Sequence, residues 1–193
     1  METWRISTPC GVTSGGQLDD FYGTTARLWD DNVTTRSCSH LCSIMCRPHQ
    51  PRVLFIEYGE TDEEARSRRY DLVLRAAHQF DKFVEQLWNT MQLMPAYHDQ
   101  TTFIIATNHG RGGGLTEWKD HGPDRKGSEN IWIGVLGPNR QPLGEREHTP
   151  AVTQSQIAAT MVALLAKDYR GSVPQAAGPL PDVVAPRTSS AVR

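Results

Sequence analysis

This sequence predicts an α/β fold: a mostly parallel sheet with flanking helices. Three observations lead to it. Short apolar runs of strand length occur at residues 52–58 (RVLFIEY), 101–107 (TTFIIAT) and 130–136 (NIWIGVL). Longer stretches carry apolar residues at steps of three and four, the spacing of a one-sided helix. The order strand, helix, strand, loop, strand, helix suits parallel strands with helices on both faces.

The first run ends at Gly59, and its length and composition suit a buried strand. One long helix is predicted over residues 70–94, with Leu72, Leu74, Ala76, Ala77, Phe80, Phe83, Val84, Leu87, Trp88 and Met91 on its apolar stripe. Pro95 ends it, because proline lacks the N–H that a further turn needs. The second strand leads into a glycine-rich loop, NHGRGGGLTEWKDHGPDRKGSE, and the third follows that loop. A final helix is predicted over residues 154–165, with Thr153 as its cap and Gln156 as the reciprocal capping-box partner. The chain thus divides into an atypical, poorly ordered segment at 1–50, an α/β core at 51–170, and a Pro- and Ala-rich tail at 171–193 that reads as extended or disordered.

Composition narrows the function. A length of 193 residues suits one domain, with two small ones also allowed. Twenty basic residues against 22 acidic ones give a net charge of -2, which excludes a strongly basic nucleic-acid binder on bulk charge. No apolar run approaches the roughly 18 residues of a membrane-spanning helix. The N-terminus lacks the apolar core of a signal peptide, so a cytoplasmic location is the default expectation. Four cysteines are too few for a disulfide scaffold.

Ligand-binding residues in open α/β sheets gather at the carboxyl ends of strands. The first strand leads into GETDEEAR, with Glu60, Asp62, Glu63 and Glu64. The second leads into Asn108 and His109, and His121 follows beside Asp120. Carboxylate and imidazole together suit zinc, manganese or iron. Each residue also has a plainer reading on its own: Asp62 as a helix N-cap, each histidine as an exposed loop residue.

Together, the segments GETDEEAR, TNHGRG and WKDHG, followed by ENIWIGVLGP, resemble the C-terminal half of the alkaline phosphatase superfamily. That superfamily includes sulfatases, nucleotide pyrophosphatases and cofactor-independent phosphoglycerate mutases. The resemblance spans about residues 50–170. It implies a partial alkaline-phosphatase-like domain, and metal-dependent hydrolysis or transfer of a small phosphate or sulfate ester. It also implies two divalent ions, zinc or manganese, at the strand ends. Asp62 matches the aspartate ligand of one ion and His121 its distant histidine, while Arg66 stands where the family has a histidine. His109 matches the second member of the Asp-His pair that holds the other ion, and Asn108, a weak ligand, replaces the aspartate. A guanidinium stays protonated and has no lone pair for a metal, but it can hold an anion bidentately. Arg66 and Arg111 are therefore the expected anion-binding residues.

The family's nucleophile belongs to a segment much longer than the 51 residues that precede Arg52. No nucleophile is identifiable here; Thr8, Thr13, Ser14 and Thr24 are only nominal candidates. The alternative is a catalytically inactive remnant that keeps the fold core and weak anion or partner binding. Loss of the first half of such a sheet would expose an edge and favour self-association through it. In the N-terminal segment, Cys38, Cys42 and Cys46 are spaced by four, with His40 and His49 nearby. They form either a zinc site or unpaired thiols. The flanks RLWDD and RPHQPRVLF resemble the family and the stretch between does not, as a frameshifted or rearranged stretch would look.

Overall fold

A computed structural model of the chain describes residues 46–47, 50–138, 142–146 and 149–184, together with the backbone of 4–5. Cys38, Cys42, His40 and His49 lie outside the described residues, as do the nominal nucleophiles. The elements are β1 (Trp4–Arg5), β2 (Leu54–Phe55), α1 (Glu60–Arg66), α2 (Tyr70–Gln92), β3 (Phe103–Ala106), α3 (Gly114–Glu117), β4 (Ile133–Leu136) and α4 (Gln156–Leu164). The fold is therefore mixed helix and strand. It comprises two compact units, residues 1–101 with 110–130, and residues 102–109 with 131–193.

In the first unit, the strand expected over 52–58 contracts to β2, which pairs parallel with β1 in the register Trp4–Leu54 and Arg5–Phe55. A strand extends only as far as a partner supplies ladder hydrogen bonds, and two residues of β1 do so here. Phe55 is exposed rather than buried. The rest of the run packs through a side chain. Tyr58 meets the rings of Phe80 and Phe83 edge-on, with centroids 5.3 and 5.0 Å apart. Such aromatic pairs contribute about 0.5–1.5 kcal/mol beyond their buried area.

The helix α2 follows the predicted span closely and buries Ala76, Phe83 and Met91 along one stripe. Leu93 and Met94 close it as a last turn, through N–H bonds to Asn89 and Met91 carbonyls at 3.1 Å each. Just before it, α1 packs on α2 and buries Ala65 completely. The sequence suits this short helix: Glu60, Asp62 and Glu63 lie in its first turn and Arg66 in its last. Those charges complement the helix dipole at both ends. Gly59 is the N-cap, so Asp62 stands inside the helix and not at its cap.

In the second unit, β3 and β4 pair antiparallel: Phe103 with Leu136, Ile104 with Val135, Ile105 with Gly134 and Ala106 with Ile133. The sequence reading expects parallel neighbours. A parallel return needs a crossover, usually a helix, whereas the segment between β3 and β4 holds only the four-residue α3. The helix α4 begins at Gln156, two residues after the expected start. Half of the expected capping box forms: Gln156 Oε1 accepts the Thr153 N–H at 2.9 Å. The other half does not, because the Thr153 hydroxyl lies 2.6 Å from the Ser155 hydroxyl.

The start of the tail is docked rather than loose. Thr160 is fully buried on α4; its hydroxyl donates to the Gln156 carbonyl at 2.8 Å and accepts the Leu180 N–H at 2.7 Å. Leu180 and Val183 are buried, and residues 185–193 lie outside the described residues. Among the described residues no helix is long and apolar enough to cross a membrane.

Candidate metal centre

The glycine-rich loop is tied across itself by backbone hydrogen bonds. The Gly110 N–H reaches the Ser128 carbonyl at 2.8 Å and the Gly112 N–H the Asp120 carbonyl at 3.0 Å. The Gly122 N–H donates to Ser128 Oγ at 3.0 Å. These ties need glycine at position 110, where a Cβ would collide with the carbonyl oxygens of Gly127 and Asn130. The loop thereby presents Arg111 and His121, while α1 presents Asp62 and Arg66, all within the first unit.

The four side chains form one cluster around the Asp62 carboxylate. Arg66 Nε donates to Asp62 Oδ2 at 2.8 Å, an i,i+4 pair on α1. The same guanidinium reaches His121 through Nη2, 2.7 Å from Nε2. Arg111 Nη2 donates to the other carboxylate oxygen, Oδ1, and Arg111 Nη1 to the Lys119 carbonyl at 3.0 Å. A guanidinium has only donors, so His121 Nε2 accepts and its ring proton sits on Nδ1. In that tautomer the 3.4 Å approach of His121 Nε2 to Asp62 Oδ1 is a contact of two acceptors, not an ion pair.

Burial opposes ionisation of Asp62. The hydrogen bond from Arg66 and the charges of Arg111 and Arg66 outweigh burial and hold the carboxyl below the usual carboxylate range. The hydrogen bond to Asp62 in turn pushes the Arg66 pKa further up.

His109 is joined through its peptide bond to Gly110. Within the first unit His121 Nε2 lies 3.4 Å from Asp62 Oδ1, and His109 belongs to the second unit. Of the three residues matched from sequence, Asp62 and His121 are brought together within one unit. One carboxylate and two imidazoles are the donor set and number of a catalytic zinc site. On a tetrahedral ion with bonds of about 2.0–2.1 Å, such atoms sit roughly 3.4 Å apart. The 3.4 Å between His121 Nε2 and Asp62 Oδ1 matches that spacing, and guanidiniums hold both groups. Asn108 is exposed, and Glu60, Glu63 and Glu64 do not join the group.

The guanidiniums expected to hold an anion are turned onto Asp62 instead. Spacing could not show this, because Arg111 and His121 are 49 and 55 residues from their partners on α1. A cleft of about 520 Å³ adjoins Arg111 and is lined also by Gly112, Arg125, Lys126 and Asn130. Arg125 pairs with Glu117 on α3.

Cys46 is a free, buried thiol outside this cluster. Burial pushes its pKa up, against a smaller opposing effect of its hydrogen bond with Tyr97. That favours the thiol over the thiolate that zinc requires. Comparison with known protein families, curated proteins and solved structures finds no match to this chain.

Proposed function

We propose that Asp62, His109 and His121 hold a divalent cation, zinc or manganese, in a partial alkaline-phosphatase-like domain that hydrolyses or transfers a small phosphate or sulfate ester. The observation that carries this reading is the approach of one carboxylate and one imidazole, Asp62 and His121, within the first unit, beside the sequence match of His109. A bound ion would supply positive charge to an ester oxygen or to an attacking water. The chain's own residues set the stage. Asp62 stays ionised at neutral pH because two guanidiniums adjoin it. His121 Nε2 carries a lone pair, which the Arg66 guanidinium holds in the metal-free chain. Arg111 links the cluster to the cleft, whose charged lining is mixed: Lys126, Asp124 and Arg125, the last paired with Glu117.

A second reading is a catalytically inactive remnant. It is favoured by the guanidiniums on both oxygens of Asp62, which leave the carboxylate satisfied without a metal. One experiment separates the two. The purified full chain is analysed for bound zinc and manganese, beside Asp62→Ala and His121→Ala. One ion per chain in the wild type, lost or bound at least about tenfold more weakly in both variants, supports the metal site. A folded wild-type chain without metal above background sinks it and leaves the remnant.

A further inference from the structure

The single guanidinium of Arg66 touches both Asp62 and His121. Its Nε is 2.8 Å from Asp62 Oδ2, and its Nη2 is 2.7 Å from His121 Nε2. Asp62 and His121 are two of the residues that would hold a divalent ion. The bond to Nε2 uses the same lone pair that would coordinate a metal, because arginine can only donate. We propose that Arg66 is the resident cation of this site: it occupies the donors of Asp62 and His121 in place of a metal, and so sets the affinity with which a metal enters. This rests on the metal-site reading above only for the identity of the competitor.

Three features support it. Arg66 lies four residues after Asp62 on α1, so the helix itself delivers the guanidinium to the carboxylate. Its side chain is 55% exposed against 23% for Asp62, so it can swing into water without unpacking the unit. Arg111 differs: it is only 23% exposed and is also held by the Lys119 carbonyl. It anchors the carboxylate, and Arg66 is the part that can leave. In the absence of metal, Arg66 cross-links α1 to the glycine-rich loop through charge-assisted hydrogen bonds, as an ion would through coordination.

The test uses the full-length chain, with circular dichroism to confirm folding. Zinc is titrated by calorimetry into the wild type, Arg66→Ala and Arg66→Lys, and each protein is also melted in chelator. An exposed ion pair and the repulsion between like charges together correspond to on the order of tenfold in affinity. Arg66→Ala should therefore bind zinc about tenfold more tightly than the wild type. Its metal-free form should melt lower, and zinc should restore the loss. Arg66→Lys keeps a charge but loses the two-pronged contact, so it should fall between them. Binding in Arg66→Ala alone would uphold the role of Arg66 and end the metal-site reading for the native chain. Equal zinc affinity in wild type and Arg66→Ala would overturn the role of Arg66 and leave that reading standing. Absence of zinc binding in both proteins would overturn both.

Discussion

At the residue scale, the distinction that matters is between side chains that offer a lone pair and those that cannot. Asp62, His109 and His121 offer one, while Arg66 and Arg111 only donate, and within the first unit the two guanidiniums close on Asp62 and His121. Cys46 is a different case. Burial raises its pKa, and burial followed by the charge of Cys46 raises that of its neighbour Tyr97. Both groups have folded pKa values above their unfolded ones. Their contribution to stability is therefore complete below the unfolded values, about 8.5 for Cys and 10 for Tyr. It is lost as pH rises toward the folded values. We expect the urea midpoint to fall from about pH 8.5 upward, and to fall less in Cys46→Ala. Identical pH profiles for the two proteins would contradict that assignment. The metal-type residues were legible in the sequence because each follows an apolar run or a glycine-rich turn. The partners of Arg66 and Arg111 were not, since hydrogen bonds across about fifty residues leave no local pattern.

At the element scale, legibility followed periodicity. The stripe of α2 repeats over six turns of helix, so its span was readable from Leu72 to Met91. The helix α1 was hidden because its acidic residues also resemble metal ligands at a strand end. The signal that could have revealed it is the acidic first turn ending in Arg66. The strand β2 fell short of its apolar run because composition does not say whether a partner strand is alongside. The glycine-rich loop could be read as flexible, yet its close backbone crossings make it specific. Gly110→Ala should force the Gly127 and Asn130 carbonyls apart at a cost of about 1–3 kcal/mol. The matching measurement is the unfolding free energy from urea titration, which should drop by that amount, while Gly113→Ala, with no neighbour near its Cβ, should show a much smaller change. Equal effects at the two positions would mean that the loop is not held by this crossing.

At the scale of the whole molecule, the α/β composition was legible and the sheet geometry was not. Strand-length runs at 103–106 and 133–136 were visible, but direction depends on what the intervening segment does. That segment closes into a loop held by glycine contacts and brings β4 back antiparallel to β3. The docking of residues 171–184 was also hidden, because Pro and Ala dominate there and the apolar side chains it buries, Leu180 and Val183, form no periodic pattern. The sequence holds two distinct sets of metal-type residues, the cluster at Asp62 and the cysteines of the N-terminal segment. X-ray absorption at the zinc edge on the full chain loaded with one equivalent of zinc distinguishes them most directly. The Asp62 site predicts only nitrogen and oxygen neighbours at about 2.0–2.2 Å, with the multiple scattering of imidazole. Sulfur neighbours at about 2.3 Å would place the ion on cysteine and contradict the assignment of Asp62, His109 and His121 as its ligands.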